Sequence, residues 1–160
     1  MSTGACIVGI GETAFCRGEG SGVSMLGLQL EAATRAIADA GLSNPEIDGI
    51  IPFPNLGVAE GFAANLGCRD LRFAATLNIG GAAPAAALGT AAMVVTSGAA
   101  EYVLIPAGWN AYSGFRAAQT VSQATHMLPG GVIARDFYIP HGLTAPPQWY
   151  ALIARRHMHE

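Results

Sequence analysis

An α/β fold built on a mainly parallel sheet follows from three observations. Apolar runs of strand length at 47–52, 72–77 and 101–107 are separated by stretches of helical period. The run FAATLNIGGAAPAAALGTAAMVVTSGAA, between Arg72 and Glu101, contains no charged residue. Only 12% of the 160 residues are charged and 51% are hydrophobic. A domain of this size needs more polar surface than that, so cover from further polypeptide, a second subunit or both is expected.

The elements follow in order. Ala5–Ile10 is a short apolar run ending at glycine and reads as a buried strand, with Cys6 a core thiol. Gly11–Gly22 reads as a polar, glycine-rich loop. Gly9-Ile10-Gly11-x-x-Ala14 matches a dinucleotide fingerprint in form only, because no helix begins inside it. From Val23 to Ala40, residues Val23, Leu26, Leu30, Ala33, Ile37 and Ala40 share one helical face, and Glu31 and Arg35 pair one turn apart. Gly41-Leu42 supplies the cap with its hydrophobic contact. Ile47–Pro52 is the second strand, Val58–Leu66 a short helix closed by Gly67, and Arg72–Leu77 the third strand. A Gly80-Gly81 corner then leads into a helix from about Ala82 to Val95, with Pro84 in its first turn and Gly98 at its stop.

That helix has almost no polar face, so it is expected to be covered on nearly every side. A membrane span is the bland alternative and carries little weight: Asn78, Gly80, Gly81, Pro84, Thr90, Thr96 and Ser97 interrupt the run, and alanine drives insertion weakly. The free N–H groups at its start suit a nucleophile or an anionic oxygen; a tight turn without function fits the corner equally well. Glu101–Ala107 is the fourth strand. Residues 1–108 therefore read as the core domain and 109–160 as an incomplete, irregular subdomain. Trp109–Pro147 shows no period and reads as a long loop, and a helix begins at Gln148.

Composition excludes several classes. Net charge is −3 and the 8 Lys and Arg form no dense patch, so nucleic-acid binding has no support. Cys6, Cys16 and Cys68 fit neither a zinc site nor a disulfide framework. The N-terminus lacks the features of a signal peptide. A soluble, cytoplasmic protein with free thiols is expected.

The stretch Leu77-Asn78-Ile79-Gly80-Gly81-Ala82-Ala83-Pro84, followed by the alanine-rich helix and Gly98-Ala99-Ala100-Glu101, resembles the nucleophile segment of the thiolase superfamily. Ile7-Val8-Gly9-Ile10-Gly11-Glu12-Thr13, Ala38-Asp39-Ala40-Gly41-Leu42, Ile47-Asp48-Gly49-Ile50 and Tyr150-Ala151-Leu152 with Arg155-Arg156-His157-Met158 are similar to sterol-carrier-protein-type (lipid-transfer) thiolases. The resemblance implies the N-terminal half of a thiolase-like fold, with a buried helix and the start of the loop subdomain. It also implies a coenzyme A thioester as substrate, with no bound cofactor.

Gly81 stands where the family carries its acylated cysteine, so transfer through a cysteine thioester is not expected. The steroid side-chain aldolase branch lacks that cysteine too. The resemblance therefore implies retro-aldol cleavage of a β-hydroxyacyl-CoA of a lipid or steroid, with a small OB-fold/zinc-ribbon partner protein and a homodimer. An acyltransferase, and a non-catalytic subunit that binds acyl-CoA, are the other two readings. The family's acid/base residues come mainly from a second half. The chain alone is thus expected to be a fragment or truncated product, inactive by itself, and its catalytic residues are unknown.

The resemblance places Gly80 and Gly81 where backbone N–H groups would face a thioester oxygen. It places His141, in Pro140-His141-Gly142-Leu143-Thr144, on the turn that lines the acyl-CoA pocket; a plain loop histidine fits as well. Tyr138 is a proton donor or a packing residue. His126 reads as structural, and Asn78 as part of a dimer face. His157 and His159 are two apart on a helix and point to different sides, so no metal is expected.

Overall fold

The computed structural model of the protein describes residues 4–15, 22–53, 57–109, 131–143 and 146–160. The chain separates into two compact units, Met1–Asn110 and Ala111–Glu160. Cys16, His126 and most of the expected long loop lie outside the described residues.

In the first unit, Ser24 caps helix α1 (Met25–Asp39), its hydroxyl accepting from the Gly27 N–H at 3.1 Å. Ala33 and Ile37 are buried on the expected face, and Glu31 pairs with Arg35. Gly41, at φ 70°, and the Leu42 N–H bonded to the Ile37 carbonyl close the helix as expected. Strand β1 (Gly49–Ile50) precedes helix α2 (Ala59–Leu66), which stops at Gly67, then strand β2 (Phe73–Ala74). Helix α3 (Ala83–Ser97) and strand β3 (Val103–Leu104) complete the unit.

The sheet order is β2-β1-β3 and both pairings are parallel, as the alternation of strands and helices predicts. The ladders are shorter than the apolar runs. Hydrogen bonds continue from Ile51 N–H to Leu104 and from Phe53 N–H to Pro106, but Pro52 and Pro106 have no N–H with which to extend them. Ile50 and Phe62 are fully buried and anchor a core with Ala33, Ile37, Ile47, Ala59, Leu66 and Leu104.

Asp48, just before β1, ties the three strands together. Its carboxylate accepts the Tyr102 N–H at 2.8 Å and the Glu101 N–H at 2.9 and 3.0 Å. It also faces the Arg72 guanidinium at 3.4 Å. Arg72 in turn donates to the Gly98 carbonyl at the end of α3, at 3.1 Å.

Three expectations are corrected. Ala5–Ile10 is not a buried strand: it pairs with no strand among the described residues, and Ile7, Val8 and Ile10 are exposed. The segment lies along α1 instead. The Ile10 N–H donates to Asp39 Oδ2 at 2.9 Å and Arg35 donates to the Glu12 carbonyl at 2.7 Å. Cys6 is accordingly exposed rather than a core thiol. Second, the cover expected for α3 is not supplied by the described residues. Only Ala83, Ala87 and Val94 are buried, because the sheet covers a single stripe, while Leu88 and Met93 are exposed. Gly80–Ser97 is long and apolar enough by length and composition to cross a membrane, and 22% of it is buried. Third, residues 131–141 are helical rather than loop: a turn at Gly131–Ile133, a π-helix at Ala134–Tyr138 and a 3-10 turn at Ile139–His141. Helix α4 (Pro146–His159) starts two residues before Gln148, since its two prolines suit a first turn.

Cys68 is half-buried, and burial pushes its thiol pKa up. In the folded chain, iodoacetamide at pH 8 is expected to alkylate Cys6 at least ~10-fold faster than Cys68. Peptide mapping checks this; equal rates would contradict the placement of both thiols.

Candidate functional site

In parallel sheets ligands sit outside the carboxyl ends of the strands. At that edge Ile51, Pro52, Phe53, Leu77, Ile105 and Ala107 meet Ala83, Pro84 and Ala87 at the front of α3. They enclose an apolar crevice of about 20 Å³, room for about one water molecule. The corner leads into this edge through a 3-10 turn, Gly80–Ala82. Pro84 lacks an N–H, so the donors available at the helix front are the backbone groups of the corner itself.

The two corner glycines are not equivalent. Gly80 has φ 63°, whereas Gly81 has no left-handed backbone and a Cβ added there meets nothing within 4 Å. The conformational requirement thus falls on Gly80. Gly80→Ala is expected to cost roughly 1–2 kcal/mol of stability and Gly81→Ala almost none. Thermal melts of the two variants check the order. Gly81 lacks a side chain in a place that has room for one.

Tyr138 and His141 belong to the second unit. Tyr138 ends the π-helix, and its ring lies 5.9 Å from that of Trp149 at 53°. π-Helical turns recur at functional sites. His141 is exposed and ends the 3-10 turn before Gly142 at φ 80°. Beside them, Arg135 bonds Asp136, which holds the Asp136 carboxyl below its usual range. Gly80 with Gly81, and Tyr138 with His141, are each neighbours within their own unit. Asn78, His157 and His159 are exposed. Among the described residues no group of three or more His, Cys, Asp or Glu side chains converges on a metal position.

Gln29 escaped the sequence reading. It is 1% exposed, on the buried face of α1, and its Nε2 donates to the Gly108 carbonyl at 2.9 Å. The available signal was a polar residue one turn before Ala33 on an apolar face.

No protein-family model matches the chain. The chain is 39% identical over 162 aligned residues to the 17-hydroxy-3-oxo-4-pregnene-20-carboxyl-CoA lyase of Mycobacterium tuberculosis (strain ATCC 25618 / H37Rv), covering 99% of this chain and 41% of that protein. It is also 39% identical over 159 residues to a steroid side-chain-cleaving aldolase of Thermomonospora curvata, covering 98% of this chain and 40% of the relative. Among solved structures, the Ltp2-ChsH2(DUF35) aldolase superposes with a TM-score of 0.74 at 36% identity, over 98% of this chain and 38% of that one. The chain thus spans about two fifths of the length of the curated relatives it matches.

Proposed function

We propose that this chain forms the first half of a thiolase-like subunit that cleaves a carbon–carbon bond in the β-hydroxyacyl-CoA of a steroid or lipid. The observation that carries the reading is the Gly80-Gly81 corner. It keeps the helix N-terminus at the sheet's carboxyl edge but supplies no nucleophile. Similarity to a CoA lyase and a side-chain-cleaving aldolase supports the same chemistry.

A retro-aldol step needs no covalent intermediate. A base takes the β-hydroxyl proton, the carbonyl forms as the Cα–Cβ bond breaks, and the electrons pass to the thioester as an enolate. An acid then protonates Cα. Backbone N–H groups of Gly80 and Gly81, at the positive end of α3, would stabilise the enolate oxygen. Tyr138 and His141 are read as contacts to the acyl-CoA. The paired name of the solved neighbour supports a partner protein, which we read as a small OB-fold/zinc-ribbon protein. The bare flank of α3 supports further cover, from the rest of the subunit and a homodimer mate. A cytoplasmic location suits a CoA thioester substrate.

The test uses the complete polypeptide with its partner and steroid and fatty β-hydroxyacyl-CoA substrates. Release of a ketone or aldehyde together with the shortened acyl-CoA is expected, with no mass added to any cysteine by acetyl-CoA. A stable acyl adduct on a cysteine would instead establish the acyltransferase reading. Tight thioester binding without cleavage would establish the binding subunit.

A further inference from the structure

We infer that Gln29 is a positioning residue, a latch that fixes the chain just past β3 where it borders the apolar crevice at the front of α3; the inference rests on the lyase reading. Gln29 lies between two glycine backbones, Gly57 ahead of α2 and Gly108 after β3. A Cβ on Gly108 would stand 3.0 Å from Gln29 Cγ, and one on Gly57 would stand 2.7 Å from the Phe62 ring and 3.4 Å from Gln29 Oε1. The amide therefore occupies space that both glycines leave open. Its Nε2 holds the Gly108 carbonyl across 79 residues of sequence. Gly108 follows Ala107, which lines the crevice. Holding Gly108 thus holds the crevice wall.

The energetics argue against a purely structural role. Gln29 Oε1 is buried and has no hydrogen-bond partner among the described residues. A buried acceptor left unpaired offsets the gain of the one bond that the amide makes. An apolar residue of similar volume would give the core at least as much stability. What the amide adds is a directional hold on one carbonyl, and a half-satisfied hold is weak enough to release.

Trp109 adjoins Gly108, is half exposed and reports on the latch. In a W149F background it is the sole tryptophan, so acrylamide quenching reads it alone. Gln29→Met is expected to raise the quenching constant about twofold, as local opening requires, while Tm stays within about 3 °C. Gly108→Ala, which pushes the tail off Gln29 without altering it, is expected to do the same. In the complete enzyme, Q29M should raise KM for the thioester about fivefold, the ratio one ordinary hydrogen bond carries, with kcat nearly constant. Unchanged Trp109 quenching in both variants would overturn the latch. So would a fall in kcat and Tm together at constant KM, the mark of a structural residue. Failure of the wild-type protein to cleave any β-hydroxyacyl-CoA would sink the lyase reading, and the quenching result would still decide the latch.

Discussion

Replacing Asp48 by alanine should lower the melting temperature of the first unit by roughly 10–20 °C, from a loss of about 3 kcal/mol. The carboxylate is only 13% exposed and accepts the backbone N–H groups of both Glu101 and Tyr102. Truncation removes those charge-assisted bonds and leaves two donors at the start of β3 without their acceptor. It also frees Arg72 from its carboxylate, and Arg72 is the residue that caps α3 through Gly98. Asp48→Asn separates the contributions. The amide oxygen can still accept one N–H, so it should cost about half as much. A melt of D48A within 3 °C of the parent would show that the three-strand junction is held by other contacts.

Phe62→Ala should be the other severe change, at about 3–5 kcal/mol. Phe62 is fully buried on α2, among Ala33, Ile37, Ile50 and Leu104. Its ring also abuts the position that a Gly57 side chain would take. A cavity there would not collapse easily, because β1 is fixed by strands on both sides. Phe62→Leu should recover more than half of the loss. Urea titration measures both, and equal midpoints for F62A and F62L would contradict a tightly packed site.

The parts legible in the sequence are those written in local chemistry. Gly41, Gly67 and Gly98 each end a helix where expected, and each has positive φ. The parallel order followed from strands spaced by helices. Two features were illegible because they depend on what lies beside the residues rather than on the residues. Ala5–Ile10 has the composition of a strand, but a strand also needs a neighbour, and here α1 is the neighbour. The alanine helix shows that it requires cover but cannot name which surface supplies it. Residues 131–141 were misread for a different reason. Gly131, Pro140 and the following Gly142 mark helix ends as well as loops, since proline suits a first turn. At the corner, sequence alone could not show that Gly80 takes a positive φ while Gly81 does not.

The strand order bears on synthesis. β1 is the first of the three strands to leave the ribosome, yet both of its hydrogen-bonding neighbours are encoded later, and the second lies at Val103–Leu104. While the intervening residues are translated, Ile50 and Ile51 have no complete sheet in which to hide. A nascent chain of this protein therefore carries its most buried strand unpaired for several seconds at ordinary elongation rates. That interval is when holding chaperones would matter most, and synonymous codons that slow translation between β1 and β3 should lower the soluble yield.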